Sequence, residues 1–145
     1  MRVIKRIIKK IVKRIQFYIY CMECKIKKQK KYILFGTPLH GNLGDHAIVI
    51  AEKKMLSDIN IKCFEVATDE ESYCYKFLKR KISKDTVILI TGGGNIGSEW
   101  LKEERFIRQV VEDFKENKII IFPQTIFYKE TEQRNYRKTS GYRSL

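Results

Sequence analysis

Residues 36–56 read GTPLHGNLGDHAIVIAEKKML and decide the fold, because they join a strand pattern to a helix pattern. The apolar run Tyr32–Phe35 comes directly before them, and apolar residues at helical spacing follow from Ala47 to Met55. Two glycines, an amide, a carboxylate and both histidines of the chain lie between the two patterns: His40, Gly41, Asn42, Gly44, Asp45 and His46. The stretch therefore predicts a strand-to-helix corner that concentrates polar groups.

The same alternation of strand and helix patterns continues along the chain to residue 122. Strands are predicted at residues 32–35, 62–66, 86–91 and 118–122, and helices at residues 43–56 and 99–116, with a third helix between the capping box Thr68–Glu71 and Lys81. The runs 86–91 and 118–122 are continuously apolar, which is typical of strands buried on both faces, and Asn117 is predicted to cap the last helix. Short connections predict an α/β fold with a Rossmann-like parallel sheet, helices on both faces, and ligands at the carboxyl ends of the strands.

Positive charge is concentrated in an N-terminal arm, residues 1–30, and not in the domain predicted at residues 31–128. Residues 1–31 contain 12 of the 30 lysines and arginines and one acid, which gives +11 of the total net charge of +13. Aliphatic residues recur there at helical spacing, so the arm is predicted to be an amphipathic basic helix. The near-neutral domain and the regular aliphatic face both argue against a nucleic-acid-binding protein. Residues 129–145 form a polar tail without an assigned structure.

Two interpretations of the arm remain open. The helix either lies on anionic lipid through residues 1–20, or packs on its own domain with a solvated cationic face. A transmembrane span is excluded because the longest charge-free run, Ile15–Met22, is far shorter than the roughly 20 residues that a span needs. Charges that interrupt the apolar run argue against a secretory signal, and the lack of serine argues against a mitochondrial presequence. We expect a cytoplasmic protein, which under the first interpretation is peripheral at the inner face of the cell membrane.

The cysteines do not form a metal-binding pattern. Cys21-x-x-Cys24 is a single pair, and no second pair follows at the spacing of a zinc site. We therefore expect free thiols and no metal. No cofactor is expected either.

A second glycine-rich corner follows the apolar run 86–91. Residues 92–97, GGGNIG, fit G-x-G-x-x-G formally, but the next strand ends in Phe122-Pro123-Gln124, without the acid that holds a ribose. A P-loop is excluded because no Gly-Lys-Ser/Thr follows. The glycines then either let backbone N–H groups cradle an anion or a hydroxyl, or form a tight turn with positive φ.

Asp45 decides the chemistry of the first corner. Asn42 is predicted to be the N-cap of the helix, and Asp45 its third residue. A carboxylate at this position repels phosphate, so the corner suits hydroxyl groups, from which Asp45 would accept a hydrogen bond or a proton. His40 is the better second catalytic candidate because it precedes the turn, whereas His46 is predicted to lie on the helix.

Four stretches resemble the polysaccharide pyruvyl transferase family, in the order of that family: HGNLGDHAI at residues 40–48, LITGGGNIGSEW at 89–100, residues 104–106, and NKIIIFPQTIFY at 117–128. The resemblance covers Lys31 to Tyr128. It implies transfer of a pyruvyl group from phosphoenolpyruvate to a sugar of a cell-surface polysaccharide or of its lipid-linked precursor, with a ketal across two hydroxyls as the product. It also implies a fold like that of glycosyltransferases of the B type, with the site between two Rossmann-like halves.

The corner chemistry and the resemblance together define the candidate site. Asp45 and His40 are the catalytic candidates. Trp100 either stacks on a sugar ring or belongs to the core, and Arg105 either reaches an anion or solvates its helix. The substrate-binding candidates are Gly41, Asn42, Gly44, Gly92, Gly93, Gly94, Asn95, Trp100, Arg105 and Gln124.

Members of the family continue into a second domain, which is expected to supply much of the donor site and a catalytic acid. This chain ends at Leu145, so we expect either a fragment of a longer product or a lone acceptor half that does not turn over by itself. The alternative to an enzyme is a non-catalytic, membrane-associated module that binds a sugar or a partner.

Overall fold

Strands and helices alternate along the chain in the order that the sequence predicts. The computed structural model describes residues 2–39, 41–68 and 71–129. The elements are α1 (Arg2–Ile26), β1 (Tyr32–Thr37), α2 (Leu43–Asp58), β2 (Phe64–Ala67), α3 (Glu71–Lys81), β3 (Val87–Ile90), β4 (Gly93–Gly97), α4 (Leu101–Asp113), β5 (Ile119–Ile121) and β6 (Gln124–Phe127). His40, residues 69 and 70 of the predicted capping box, and the tail from residue 130 lie outside the described residues.

Four strands form a parallel sheet in the order β2-β1-β3-β5. Phe35 of β1 lies beside Ile90 of β3 on one side and beside Val66 of β2 on the other. A parallel connection needs a crossover, and α2, α3 and α4 occupy those connections. The carboxyl ends of β1 and β3 therefore meet at one edge of the sheet.

Alternate residues of the central strands build two cores on the two faces of the sheet. Ile88 and Ile90 belong to a core that also contains residues of α1, α3 and α4, whereas Val87 and Leu89 pack with Val49 and other residues of α2. All four residues of β3 are buried. The predicted α/β fold, a Rossmann-like parallel sheet with helices on both faces, is confirmed.

Two predictions for residues 117–122 are wrong. β5 pairs with β3 at the edge of the sheet, so Ile120 and Ile121 are 38% and 41% exposed instead of buried. Asn117 does not cap α4, whose C-cap is Phe114. Its amide instead donates to the carbonyl oxygens of Ser83 and Thr86, both at 2.9 Å, and so ties the start of β5 to the start of β3.

A second, two-stranded parallel sheet pairs β4 with β6 and was not predicted. Glycine has a low strand propensity, so the four glycines of residues 92–97 predict a turn between elements and not a strand. Gly97 allows this pairing: a Cβ there would lie 1.8 Å from the carbonyl oxygen of Phe127, and its φ is +135°. The close approach of two backbones decides the structure here.

The predicted basic helix exists as α1, and its second half packs on the domain. Phe17, Tyr20 and Cys24 are buried in the same core as α3 and α4. The end of the arm thus contributes to the core of the domain predicted to start at residue 31. None of the described helices is both long and apolar enough to cross a bilayer.

Candidate functional site

The first corner has the cap geometry that its sequence predicts. Asn42 is extended (φ −76°, ψ 106°), and its side-chain oxygen accepts a hydrogen bond from the Gly44 N–H at 3.0 Å. Its side-chain nitrogen donates to the Asp45 carboxylate at 2.9 Å. Asp45 is the third residue of α2, so the predicted N-cap and helix position are confirmed. One amide side chain therefore starts the helix and also orients the carboxylate.

The other predicted residues of this corner lie at its exposed outer side. Gly41, Asn42 and Gly44 are exposed, and Asp45 is half-buried. Gly44 does not have a positive φ, so backbone strain does not explain this glycine. His46 is half-buried in the first turn of α2, which confirms its predicted place on the helix.

A buried carboxylate that sequence reasoning missed connects the two corners. Glu52 of α2 is 7% exposed. It accepts hydrogen bonds from the Thr91 hydroxyl at 2.8 Å and from the Gly92 N–H at 2.7 Å. Burial raises the pKa of Glu52, while these two hydrogen bonds oppose the rise. The available signal was its spacing: Glu52 is two helical turns after Asp45, on the same face of α2.

The second corner is a strand whose backbone groups are largely engaged. The Gly92 N–H donates a hydrogen bond to the Glu52 carboxylate. The Gly93 N–H donates to the Pro123 carbonyl oxygen at 3.1 Å, and the Asn95 N–H donates to the side-chain oxygen of Gln124 at 3.3 Å. These three groups are therefore not available as the anion cradle considered above. The alternative of positive φ holds at Gly93, with +125°, but not at Gly92 or Gly94.

Gly92 and Gly94 differ in what surrounds them. A Cβ at Gly92 would lie 2.5 Å from the Pro123 carbonyl oxygen and 3.0 Å from Glu52, so packing within the protein requires glycine there. A Cβ at Gly94 would meet no described atom within 4 Å, and Gly94 is exposed. Among the described residues, nothing in the fold explains the glycine at position 94.

Gln124 braces the glycine-rich strand. Its amide nitrogen donates to the Thr91 carbonyl at 2.6 Å, and its oxygen accepts the hydrogen bond from Asn95. This predicted binding residue therefore joins the end of β3 to β4, and it does not line the cavity that lies at the carboxyl ends of β1 and β3. Its position holds Asn95 at the cavity wall.

A cavity of about 920 Å³ lies at the carboxyl ends of β1 and β3. Of the predicted site residues, Asp45, Gly92, Asn95 and Arg105 line it. Lys76 and Lys102 add cations and Glu103 adds an acid; sequence reasoning singled out none of the three for the site. Aromatic rings of Phe35, Tyr75 and Phe106 form apolar parts of the wall. The cavity thus combines carboxylate, amide, cationic and aromatic groups.

Trp100 lies at the N-cap position of α4 and is 57% exposed, so it does not belong to the core. The residues that follow it in α4, Leu101, Lys102 and Glu103, line the cavity. Arg105 is exposed and also lies at the cavity. Trp100 is therefore next in sequence to the cavity wall without being part of it.

Glu104 does not line the cavity and holds α4 in place. It is 4% exposed and accepts hydrogen bonds from Arg108 at 2.8 Å and from the hydroxyl of Tyr128. Burial is the main cause that raises the pKa of Tyr128, and the hydrogen bond to the Glu104 carboxylate raises it further. The contacts fasten α4, and with it Arg105, to the chain after β6.

The four cysteines are free thiols. Across residues 2–39, 41–68 and 71–129, no cluster of three histidine, cysteine or acidic side chains could hold a metal ion.

Comparison with known proteins relates this site to one family. The family model described as "Polysaccharide pyruvyl transferase" matches residues 42–144, which include the first corner from Asn42 onward, the second corner and α4. General stress protein 30 of Bacillus subtilis is 35% identical over 124 residues, which cover 81% of this chain and 35% of that protein. Pyruvyl transferase 1 of Schizosaccharomyces pombe is 37% identical over 105 residues, which cover 70% of this chain and 26% of that protein. The chain thus matches about a third or less of the length of these relatives.

Proposed function

Because this chain belongs to the polysaccharide pyruvyl transferase family, we propose that it forms the acceptor-binding half of a pyruvyl transferase. The donor is phosphoenolpyruvate, and the acceptor is a sugar of a cell-surface polysaccharide or of its lipid-linked precursor. The C2 carbon of the donor forms bonds to two sugar oxygens, and its bond to the phosphate oxygen breaks. The two hydroxyls release two protons: one is balanced by the proton that the methylene carbon takes up to become a methyl group, and the other leaves with inorganic phosphate. The site must therefore orient two hydroxyls, accept a proton and hold an anionic donor.

The observation that carries this proposal is the meeting of Asp45 and Asn95 at one cavity, from corners on two different strands. The Asn42 amide orients the Asp45 carboxylate, and a carboxylate accepts hydrogen bonds from sugar hydroxyls. A cavity of about 920 Å³ is at the large end of the range for small-molecule sites, which suits a sugar together with a donor. In this proposal Asp45 orients and deprotonates a hydroxyl, and His40 is the second catalytic residue.

The cations at the cavity supply the donor contacts in this proposal. Lys76, Lys102 and Arg105 line the cavity, and side-chain cations pair well with phosphate and carboxylate. The N–H groups of Gly92 and Gly93 donate to acceptors within the protein. We therefore assign the phosphate and carboxylate of the donor to the lysine and arginine side chains. The open space at Gly94 lets a sugar approach the backbone, and Trp100 stacks on a sugar ring at the start of α4.

The proposed setting is the cytoplasmic side of the cell membrane, where a lipid-linked acceptor is presented at the bilayer surface. A second domain supplies the remaining donor contacts and the acid that protonates the methylene carbon.

The first test is a titration of the isotopically labelled chain, followed by amide NMR, with phosphoenolpyruvate and separately with methyl pyranosides. We expect pyranosides to shift the amides of Asp45 and Asn95, and Asp45→Asn to weaken pyranoside binding at least about tenfold. Asp58→Asn is the matched control, because Asp58 is an exposed acid of the same helix that pairs with Lys54. An unchanged affinity in Asp45→Asn would contradict the assigned role of Asp45.

The second test separates an enzyme from a binding module. Lys102→Gln with Arg105→Gln is expected to weaken phosphoenolpyruvate binding and leave pyranoside binding intact. Release of inorganic phosphate from phosphoenolpyruvate is then measured with acceptor saccharides present. Phosphate release would support the enzyme. Saccharide binding without any binding of phosphoenolpyruvate would favour the non-catalytic module, whereas a lack of phosphate release alone would not, because the proposal places the protonating acid in the second domain.

A further inference from the structure

One side of α1 is a continuous aliphatic surface in contact with solvent. At 100° per residue its members fall on one side of the helix, and each is at least 51% exposed. We call this surface the aliphatic stripe, and it consists of Ile4, Ile7, Ile8, Ile11, Ile15, Ile19, Met22 and Ile26. From Ile4 to Ile26 it extends over about 33 Å at 1.5 Å per residue. Exposed apolar surfaces of this extent mark interaction sites.

The opposite side of α1 is anchored to the domain. Phe17 packs edge to face against Phe64 and Phe77, at centroid distances of 5.3 and 5.7 Å. The Tyr20 hydroxyl accepts a hydrogen bond from the Tyr32 N–H at 2.7 Å, and it lies 2.9 Å from the Tyr32 carbonyl oxygen. Because these anchors set the rotation of the helix about its axis, the aliphatic stripe faces away from the domain.

Cations border the aliphatic stripe on both sides. By helical periodicity, Lys5 and Lys9 lie along one border and Lys10 along the other, where Arg14 lies over the Phe77 ring of the domain at 5.1 Å. The first acid of the chain is Glu23, whose carboxylate pairs with Lys62 at 2.5 Å. The stripe therefore combines apolar side chains with a positive border, and α1 itself carries no acid before Glu23.

We propose that the aliphatic stripe of α1 binds the surface of an anionic lipid bilayer. Its apolar side chains enter the boundary between headgroups and acyl chains, while the bordering lysines and arginines contact lipid phosphates. A second copy of the chain fits this surface less well, because contact between two stripes would bring two cationic borders together. Nucleic acid would use the cations but would leave the apolar side chains exposed to water.

The anchoring contacts leave the cavity accessible in this arrangement. Tyr20 bonds to Tyr32, the first residue of β1, whereas the cavity begins at Phe35 and Gly36 at the other end of that strand. A bilayer on the aliphatic stripe therefore does not cover the cavity. The bilayer contact is independent of the transfer chemistry and can be measured without any saccharide or donor.

The test is co-sedimentation of the full chain with vesicles of phosphatidylcholine alone and of phosphatidylcholine with one quarter phosphatidylglycerol. We expect binding to the anionic vesicles that weakens between 100 and 500 mM salt, as screening of surface charges requires. Ile8→Gln with Ile11→Gln is expected to lower the partition coefficient at least about tenfold. Lys5→Gln with Lys9→Gln is expected to lower the partition coefficient for anionic vesicles more than that for vesicles of phosphatidylcholine alone.

The matched control is Ile50→Gln with Ile59→Gln, which removes two isoleucines, 68% and 61% exposed, from another surface. This control is expected to bind vesicles as the unmodified chain does, and circular dichroism verifies that all variants fold. Equal binding to both vesicle types, or an equal loss in the control, would overturn the proposal. A dimer in sedimentation velocity that Ile8→Gln with Ile11→Gln dissociates, without vesicle binding, would assign the stripe to a second copy instead.

Discussion

The carboxylate of Glu52 lies 2.7 Å from the backbone nitrogen of Gly92, 40 positions later in the chain. The same carboxylate accepts a hydrogen bond from the Thr91 hydroxyl. One buried side chain therefore joins α2, whose third residue is Asp45, to the end of β3, which leads to Asn95. The distance between the two corners of the candidate site depends on this contact.

Glu52→Leu is expected to destabilise the protein by about 2 to 3 kcal/mol, because it leaves a buried N–H and a buried hydroxyl without acceptors. Glu52→Gln keeps an acceptor for Gly92 and is expected to cost less. The measurement is the free energy of unfolding from urea denaturation. A matched control is Glu112→Gln, an exposed acid of α4 that is expected to change stability by less than about 0.5 kcal/mol. If Glu52→Leu costs no more than this control, the contact does not hold the two corners together.

The pH dependence of stability follows from the raised pKa of Glu52. A carboxyl whose pKa is higher in the folded than in the unfolded state binds protons more tightly when folded, so its contribution favours folding more as pH falls. The difference in unfolding free energy between the unmodified chain and Glu52→Gln should therefore increase from pH 7 toward about pH 4.5, and then level off. If this difference instead decreases on acidification, the hydrogen bonds to Glu52 lower its pKa by more than burial raises it.

Gly97→Ala is expected to disrupt the pairing of β4 with β6, because the new Cβ would lie 1.8 Å from the Phe127 oxygen at a φ of +135°. A loss above about 2 kcal/mol is expected from the positive φ and the steric clash together. Gly94→Ala is the matched control, since no described atom lies within 4 Å of its Cβ. Thermal unfolding of both variants measures the effect, and equal midpoints would rule out the close pairing at Gly97.

Asn42→Ala and Asn42→Ser separate the two roles of the Asn42 side chain. The alanine variant loses the helix cap and is expected to lose about 1 kcal/mol, whereas serine caps helices well and should cost only a few tenths. Both variants lose the hydrogen bond to Asp45. Under the proposed function, both should weaken pyranoside binding while only alanine lowers the unfolding free energy. Pyranoside binding by Asn42→Ser equal to that of the unmodified chain would show that Asp45 does not need this amide.

The elements whose signals are local in sequence were predictable. The β1–α2 corner, with Asn42 as the cap and Asp45 in the first turn, depends on a side chain that bonds three residues away. The burial of β3 follows from its own apolar residues, because a strand covered on both faces needs an apolar side chain at every position. The burial expected for β5 was wrong because the same kind of residues also occurs at a sheet edge, where only the strand order decides exposure.

The candidate site was predictable in part. The meeting of the two glycine-rich corners at the carboxyl edge followed from the parallel topology, and Asp45, Asn95 and Arg105 do line one cavity. The engagement of Gln124 and of the Gly92 N–H in bonds within the protein depends on partners far along the chain. Lys76 of α3 and Lys102 of α4 also line the cavity and were missed, because the sequence pattern of an amphipathic helix does not show what an exposed lysine faces.

The sequence by itself determined the alternation of strands and helices, the parallel sheet, the first corner and the amphipathic character of α1. These features depend on periodicity, capping and steric preferences that act over a few residues. Only the tertiary structure decided that Glu52 is a buried link, that the glycine-rich segment is a strand, and that the aliphatic stripe faces outward. Each of these depends on which backbone or side chain approaches from a distant part of the chain, and such an approach is set by packing and not by local preference.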